Sequence, residues 1–267
     1  WDLLDVVRAT AALRPEGIEW PRHDDGRPSF KLEHLSAANG LAHAQAHDAL
    51  SDVRATIALA ALIRNRQPRL WNFCLALRQK QAVLTEIGSD RPFIHVSAMY
   101  GAERGGMAVV WPLAQHPTNR NELIVWDLIH DPAELADLDV EQIRLRLFSK
   151  TEDLPEGMTR LPIRSLAINK SPIVIGNLKV LTPAVIERWR IDMETIARHT
   201  ETARRLTPQL ASRMDEVYQR PRPQGPAPDV DGDLYGGFIG NDDRRRLDDW
   251  RERLDATASQ AAASPDT

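Results

Sequence analysis

The sequence predicts an α+β protein in which helices at the amino-terminal end precede a strand-rich region. Apolar residues recur at helical spacing through residues 1–66. From about residue 67, short runs rich in valine, isoleucine and tryptophan alternate with turn-forming segments, as in the strands of a small sheet. Helical patterns then return on both sides of a proline-rich linker at 220–232. These observations predict three domains, covering 1–66, 67–219 and 220–267.

The first of these regions contains three predicted helices. The second helix begins near Ser29 and ends at Asn39-Gly40, a pair that favours a left-handed stop. The third runs from about residue 48 to residue 65. We expect the inner face of this third helix to consist of the apolar residues Leu50, Val53, Ile57, Ala60 and Ala61.

Four runs in the central region predict strands, namely "RPFIHVSAMY", "MAVVWPLAQ", "NELIVWDLI" and "RLPIRSLAI". The turn-forming segments "GAERGG" and "HPTNRN" separate the first three, and the helical insert "DPAELADLDVEQIRLRLFSK" precedes the fourth. Aromatic residues in strands usually pack inward, so we expect Trp71, Trp111 and Trp126 to lie in the core.

The last helical patterns lie on either side of the proline-rich linker. Thr182-Pro183 predicts the start of a long helical stretch that reaches about Gln219, because proline suits the first helical position. After the linker, "NDDRRRLDDWRERL" predicts the start of another helix.

Composition limits the possible functions. The net charge is −4, so binding to a nucleic acid would require local basic patches. No apolar run is long enough to predict a membrane span, and we expect no membrane partner. The single cysteine, Cys74, excludes an intrachain disulfide and agrees with a reducing, cytoplasmic setting. The chain begins within a helical pattern at Trp1, so we expect it to be a fragment of a longer protein.

The segment "AHDALSDV", residues 46–53, carries the strongest chemical signal. His47 lies just before the predicted third helix, and Asp52 lies about one turn inside it. A carboxylate is a hard oxygen ligand suited to Mg²⁺, and a neutral imidazole can take a proton from water near neutral pH. Hydrolysis of a phosphodiester requires both groups.

Two other interpretations of this segment remain open at the level of residues alone. In the first, Asp48 caps the helix and Asp52 is a solvated surface acid, as is usual for so short a pattern. In the second, adjacent His47 and Asp48 ligate a metal in an all-helical phosphohydrolase. That site would need further ligands on neighbouring helices, for which the available histidines are His23, His34 and His43.

The longer sequence context carries a resemblance to a known family. The segment "SFKLEHLSAANGLAHAQAHDALSDVRATIALAALI" resembles the third exonuclease motif of the DEDDh superfamily of 3′→5′ exonucleases. The segments "WDLLDVVRATAALRPEGIEWP", "RQPRL", "HVSAMYGAERGG", "PLAQHPTNRNELIVWDL" and "INKSP" together are similar to the bacterial exodeoxyribonuclease I family. The resemblance covers nearly the whole chain and weakens over about its last fifty residues.

This resemblance implies a fold and a site. The expected order is the carboxy-terminal part of a ribonuclease-H-like exonuclease domain, an SH3-like β domain with a helical insert and long helices, and the start of a helical domain. His47 matches the general base, Asp52 matches a ligand of one of two Mg²⁺ ions, and Lys31 matches a basic residue near the terminal nucleotide of the substrate. The family's other three metal-binding carboxylates belong upstream of Trp1, so we expect this chain to be nearly or wholly inactive alone.

The resemblance also implies a surface for single-stranded DNA, because a processive exonuclease needs cations and flat side chains along the strand. The candidate contacts are Arg8, Arg14, Arg69, Phe73, Lys80, Arg91, Asn121, Arg164 and Arg204. For any single arginine in this set, the alternative is a solvated charge that balances the 38 acidic residues.

The family further implies a protein partner. Arg14, Arg91 and Arg204 match the neighbourhood where the acidic carboxy-terminal tail of single-stranded DNA-binding protein docks. We therefore expect a monomer from a DNA repair or recombination exonuclease that releases nucleoside 5′-monophosphates. The alternative is a non-catalytic module that binds single-stranded DNA or its binding protein.

Overall fold

A computed structural model describes residues 1–41, 49–219 and 240–262 of the chain. The chain divides into two compact units, Trp1–Arg220 and Pro221–Thr267. Within the described residues, no helix combines the length and the apolar character needed to cross a membrane.

In its described residues, the first unit begins with five helices. They are α1 (Leu3–Leu13), α2 (Leu32–Ala38), α3 (Ala49–Arg66), α4 (Pro68–Ala76) and α5 (Lys80–Ile87). The first three were expected from their apolar periodicity, whereas α4 and α5 fall in a segment for which the sequence predicted the start of the β region. Proline at the first position of α4 explains its sharp start after α3, since proline lacks only an N–H that has no helical partner there.

The sheet has five antiparallel strands in the order β4-β3-β2-β1-β5. The strands are β1 (Phe93–Val96), β2 (Met107–Gln115), β3 (Glu122–Asp127), β4 (Ile163–Ala167) and β5 (Ile173–Ile175). The four predicted strands are all present. The fifth strand, which pairs with β1, was not predicted. It has only three residues, and a run of that length is too short to show a strand periodicity.

Three helices follow or interrupt the strands of the first unit: α6 (Val140–Phe148), α7 (Pro183–Trp189) and α8 (Met193–Tyr218). The helix α6 lies in the predicted insert. The predicted long helical stretch after Thr182 is divided in two, because Arg190 adopts a left-handed conformation (φ 51°) that ends α7. Asp192 then caps α8 by accepting hydrogen bonds from the backbone N–H groups of Glu194 and Thr195.

The second unit is described only for residues 240–262, which include α9 (Asn241–Ala262). Pairs of arginine and aspartate three residues apart line this helix, as in Arg245–Asp242 and Arg251–Asp248. The helix predicted from "NDDRRRLDDWRERL" is therefore present.

The core of the first unit lies on the sheet. Trp111 and Trp126 are fully buried, as predicted, and each indole N–H is hydrogen-bonded, to Thr207 Oγ1 and to the carbonyl of His130 respectively. Trp71 is only half-buried, and its ring meets Trp1 edge to face at 5.3 Å. The α+β class is confirmed by this arrangement of a sheet with flanking helices.

The predicted inner face of α3 is wrong. Leu50, Val53 and Ile57 have 56%, 55% and 63% of their surface exposed. The opposite side of α3, with Leu59 and Ile63 at 3% and 0% exposure, faces α1, α2 and α4. The helix therefore packs on its neighbours through one apolar face and presents a second apolar face outward.

Candidate functional site

The aspartate of the predicted catalytic pair lies at the start of α3. Asp52 falls in the first turn of that helix, where the partial positive charge of the helix end favours a carboxylate. It is half-buried, and its backbone carbonyl accepts a hydrogen bond from Thr56 Oγ1. His47, Asp48 and His43 lie outside the described residues, so the pairing of His47 with Asp52 stays a prediction.

The described residues contain no group of three or more histidine, cysteine, aspartate or glutamate side chains placed to share a metal ion. His23 and His34 meet edge to face at 5.9 Å, and Ser29 Oγ lies 2.7 Å from His34 Nδ1. Among the described residues, Asp52 is thus the one that matches a metal ligand implied by the family resemblance. The all-helical phosphohydrolase alternative is wrong in its fold, because the chain contains a five-stranded sheet.

Lys31 stands at the amino-terminal end of α2. It occupies the N-cap position without forming a side-chain cap, and its Nζ lies 4.0 Å from Glu33 Oε1. The side chain is exposed, so the ammonium group is available to a phosphate in solvent. Its predicted contact with a terminal nucleotide stays a prediction.

A groove of about 720 Å³ brings together three of the predicted DNA contacts, Arg14, Arg69 and Phe73. Arg14 ends α1, and its guanidinium donates hydrogen bonds to the carbonyls of Leu13 and Val180. The complete lining is Leu13, Arg14, Gln67, Pro68, Arg69, Leu70, Phe73, Glu86, Ile175, Asn177 and Val180.

This groove combines an apolar floor with cations and one acid. Glu86 accepts a hydrogen bond from the backbone N–H of Gly176 at 2.8 Å, which fixes the carboxylate beside β5. Asn177 and Gln67 add neutral polar groups that sequence reasoning missed. No sequence pattern indicated Asn177 as a site residue, because the short strand that precedes it was not predicted either.

Arg91 lies next to the groove and has a structural partner. Its Nη2 donates hydrogen bonds to the carbonyls of Thr85 and Glu86 at 2.9 and 3.0 Å, near the carboxy-terminal end of α5. The guanidinium also fills space that a side chain at Gly88 would need. Arg91 therefore supports the helix that carries Glu86.

Arg204 projects from α8 and is partly neutralised. Its guanidinium lies 5.4 Å from the ring centroid of Trp111, and it pairs with Glu201 at 2.5 Å and with Asp90 at 3.5 Å. Because Asp90 precedes Arg91 in the chain, the pair links Arg204 to the border of the groove. Arg91, in turn, donates to the carbonyl of Glu86, which lines the same groove as Arg14.

Lys80 and Asn121 are brought together, since Lys80 Nζ donates a hydrogen bond to Asn121 Oδ1 at 2.7 Å. Arg8 pairs with Asp5 at 2.7 Å, and 17% of its side chain is exposed. Arg164 lies opposite Val125 in the sheet and is half-buried. One group of three predicted contacts, Arg14, Arg69 and Phe73, and one pair, Lys80 and Asn121, therefore meet. Arg8 and Arg164 occupy other parts of the first unit.

A buried polar network supports the turn between β1 and β2, and sequence reasoning missed it. Arg104 makes two hydrogen bonds to Asp127, at 2.5 and 2.9 Å, and lies 5.6 Å from the ring of Tyr100. The hydroxyl of Tyr100 lies 3.0 Å from His95 Nδ1. Burial lowers the pKa of His95 to about 4 and, with a contribution from Asp127, raises the pKa of Tyr100. Both groups are therefore neutral at pH 7.

Comparison with known proteins identifies the central region. Residues 78–220 match the family model described as the exonuclease I SH3-like domain. Exodeoxyribonuclease I of Escherichia coli (strain K12) is 42% identical over 249 residues, which are 92% of this chain and 52% of that protein.

Solved structures extend this likeness to the fold. E. coli exonuclease I in complex with a dA16 oligonucleotide superposes with a TM-score of 0.85 at 41% identity, over 94% of this chain and 54% of that one. A zinc-bound form of the E. coli exonuclease I complex with single-stranded DNA gives a TM-score of 0.83 at 40% identity, over 94% of this chain and 53% of that one.

The chain spans about half the length of the curated relatives it matches. The family model covers more than half of the chain, in the region that forms the sheet and its flanking helices. The order of helices, sheet and long helices agrees with the fold expected from the sequence motifs. This chain therefore belongs to the exonuclease I family.

Proposed function

We propose that this chain is part of a 3′→5′ exonuclease that degrades single-stranded DNA to nucleoside 5′-monophosphates. The observation that carries the proposal is its likeness, over nearly its whole length, to a structure of exonuclease I holding an oligonucleotide. The groove with Arg14, Arg69 and Phe73 supports it, because cations and an aromatic face suit phosphates and unstacked bases.

The catalytic chemistry is assigned to the start of α3. His47 accepts the proton of the attacking water at a ring nitrogen, and Asp52 contributes a carboxylate to the metal site. A carboxylate oxygen is the ligand type that Mg²⁺ prefers, so Asp52 fits the ion that the family implies. When bound, two such ions would neutralise charge on the scissile phosphate and lower the pKa of the attacking water.

This chain matches one of the four carboxylates expected for such a site, Asp52, so we infer that the chain alone is nearly or wholly inactive. The experiment is an assay with Mg²⁺ and single-stranded DNA, first with the chain alone and then with the chain joined to the amino-terminal exonuclease segment of a relative. Robust 3′→5′ digestion by the chain alone contradicts the assignment of the missing ligands.

The joined protein tests the roles of His47 and Asp52. Restored digestion that is lost in His47→Ala and Asp52→Asn, but kept in Asp24→Asn, supports the enzyme. Asp24 is the matched control because it lies in an exposed loop and matches no position of the motif. Persistent inactivity with intact strand binding favours the alternative, a non-catalytic module for single-stranded DNA.

Strand binding is tested on the chain itself. We expect a labelled oligothymidylate to bind with an affinity that falls as salt rises, because cationic contacts release counterions. Arg14→Gln and Lys80→Gln each remove one proposed contact, so the logarithmic salt slope falls by about 0.7 for each. Lys150→Gln is the matched control, since Lys150 is exposed near Glu152, away from the groove. A slope that is equal in all four proteins rejects these contacts.

A second proposal concerns a protein partner, the acidic tail of single-stranded DNA-binding protein. Arg14 lines an apolar groove, Arg91 hydrogen-bonds the carbonyl of the groove residue Glu86, and Arg204 pairs with Asp90 next to Arg91 in the chain; this arrangement favours a peptide that carries both carboxylates and apolar side chains. A labelled tail peptide is titrated at low salt against the chain and against Arg14→Gln. Binding that weakens in the variant supports the partner, and no binding removes it.

The proposal also covers the biological process, the cellular compartment and the oligomeric state of the whole enzyme. We assign the whole enzyme to DNA repair or recombination in the cytoplasm, acting as a monomer. The buried, unpaired thiol of Cys74 agrees with a reducing compartment.

A further inference from the structure

The helix α9 of the second unit carries a line of exposed apolar side chains. Leu247, Trp250 and Leu254 have 46%, 64% and 55% of their surface exposed. Their spacing of three and then four residues places them on one face of the helix, and together they form the α9 stripe. Residues 240–254 are all exposed, so within the described residues no other element buries this face.

The charged residues of α9 are arranged around this stripe. Each residue turns the helix by about 100°, and this rotation places arginines along both borders of the stripe. The four bordering residues are Arg244, Arg246, Arg251 and Arg253. Asp249 and Glu252 lie on the opposite side of the helix. The stripe is therefore an apolar surface with a cationic border.

Two of the bordering arginines form ion pairs within the helix. Arg246 lies 3.5 Å from Asp243, and Arg251 lies 3.6 Å from Asp248. Exposed pairs of this kind contribute little energy, and a guanidinium has five N–H donors. Each arginine can therefore bind a second carboxylate without breaking its first contact.

A second copy of this chain is a poor match for the α9 stripe. Two such helices packed through their stripes would place arginine against arginine along both borders, in the parallel and in the antiparallel orientation. Like charges across an interface oppose association. A partner that presents carboxylates on both sides of an apolar groove matches the stripe and its border.

The spacing of the stripe agrees with a recurring mode of protein recognition. In that mode, an amphipathic helix inserts apolar side chains at positions i, i+3 and i+7 into an apolar groove of another protein. Leu247, Trp250 and Leu254 have this spacing. Tryptophan is among the residue types that most often dominate the binding energy of an interface, and here it stands between the two leucines.

We propose that α9 is a docking helix for another protein, whose binding surface is an apolar groove bordered by aspartate and glutamate. The three side chains of the α9 stripe enter the groove, and the bordering arginines meet its carboxylates. The inference goes beyond the proposed action on DNA and does not depend on it, since it uses residues of the second unit only.

The probe is a labelled synthetic helical peptide of about four heptads, with leucine at the two core positions of each heptad and glutamate at the bordering positions. A matched peptide carries lysine at the bordering positions. Binding to the whole chain is measured by fluorescence anisotropy at low salt. We expect the glutamate peptide to bind at least about tenfold more tightly than the lysine peptide. Equal affinities for the two peptides, or no binding of the glutamate peptide, overturn the proposal.

Variants of α9 test which side chains bind. Trp250→Ala should weaken binding of the glutamate peptide at least about tenfold, and alanine favours the helix, so α9 is retained. Arg251→Gln should weaken it about twofold. Arg245→Gln is the matched control and should leave binding unchanged. Arg245 and Arg251 are both 77% exposed and both pair with an aspartate three residues earlier, but Arg245 points away from the stripe. Equal weakening by the two arginine variants, or full binding by Trp250→Ala, contradicts the assignment.

The groove of Arg14 is also proposed to take an acidic peptide, so Arg14→Gln is a second control. Binding of the glutamate peptide that is unchanged in Arg14→Gln and weakened in Trp250→Ala supports α9. The reverse result assigns the peptide to the groove of Arg14 and rejects the inference about α9.

The same variants test two other occupants of the α9 stripe, a second copy of the chain and single-stranded DNA. We expect sedimentation to show a monomer, and a dimer that dissociates in Trp250→Ala would replace the proposal with self-association. Binding of an oligothymidylate should be the same in the unmodified chain, Trp250→Ala and Arg251→Gln. Loss of strand binding in both variants would assign the stripe to DNA and overturn the proposal.

Discussion

The sheet and the helix α3 differ in how completely they bury their apolar residues. In the sheet, Trp111, Trp126 and Ile124 have no exposed surface. On α3, Leu50 and Ile57 are more than half exposed, although Leu59 on the other side of the same helix is buried. The sheet thus buries its large apolar residues. The helix α3 buries one of its two apolar faces and leaves the other exposed to solvent.

This difference means that the region expected to contribute most to stability, the sheet, is not the region that carries the proposed catalytic residue Asp52. The sheet carries its own core within this chain, so its fold depends on residues that are present here. Asp52, the described member of the proposed catalytic pair, lies instead on the helix that is packed from one side. We therefore expect the free energy of unfolding to depend mostly on the sheet, and the four predictions below test that division.

The largest effect is expected for Trp126→Ala in β3. It removes a fully buried side chain and a hydrogen bond to the carbonyl of His130, so the free energy of unfolding should fall by about 3–5 kcal/mol. Urea denaturation measures this change. Trp250→Ala on α9, where the side chain is 64% exposed, should alter stability by less than about 0.5 kcal/mol. A sheet variant that loses under about 1 kcal/mol would contradict a self-sufficient core.

The next effect concerns pH and His95 in β1. Its pKa is about 4 in the folded chain and about 6.5 when unfolded, so below pH 6.5 the unfolded state binds more protons and the folded state loses stability. The loss develops as pH falls from about 6.5 to about 4 and amounts to about 3 kcal/mol. His95→Gln should remove this part of the pH dependence, measured by urea denaturation at pH 7 and 4.5. An unchanged slope in the variant means that His95 does not titrate as proposed.

A smaller effect is expected for Leu59→Ala on the packed side of α3. The side chain is 3% exposed and faces other helices, so its loss should lower the free energy of unfolding by about 2–3 kcal/mol. Thermal unfolding with the alanine variant and a Leu59→Met control, which keeps the volume, measures it. If the alanine variant is as stable as the methionine variant, α3 is not held from this side.

The smallest effect is expected for Ile57→Gln on the open side of α3. The side chain is 63% exposed, so the change should stay within about 0.5 kcal/mol. Leu84→Gln on α5, at 40% exposure, provides a comparison on a helix next to the sheet. A loss above about 1 kcal/mol for Ile57→Gln would show that this face is covered in solution and would remove the contrast between the two regions.

The sequence predicted correctly those elements whose residue pattern is compatible with a single structure. Runs rich in valine, isoleucine and tryptophan located β1 to β4, and Thr182-Pro183 located the start of α7. The face of α3 was predicted wrongly because the helix has two apolar stripes, one through Val53 and Ile57 and one through Leu59 and Ile63. Periodicity shows that both stripes exist, but only the neighbouring helices decide which is packed.

The residues of the candidate site were likewise predicted only in part. Arg14 and Phe73 were named from the family motifs, and they do meet at one groove. The network of Arg104, Asp127 and Tyr100 was missed, because its members come from a turn and a separate strand and no local pattern joins them. Contacts between distant segments depend on how the whole unit packs. Secondary-structure propensity and residue spacing are local and do not predict that packing.

The indole of Trp189 joins three segments that are far apart in the chain. It donates to the carbonyl of Ala12, and a side-chain carbon at Gly105 would approach its ring to 2.7 Å. The end of α1 therefore cannot detach without also loosening the turn at Gly105 and the end of α7. In native-state hydrogen exchange, the amides of these three segments should open together, as one cooperative foldon rather than as three fraying ends.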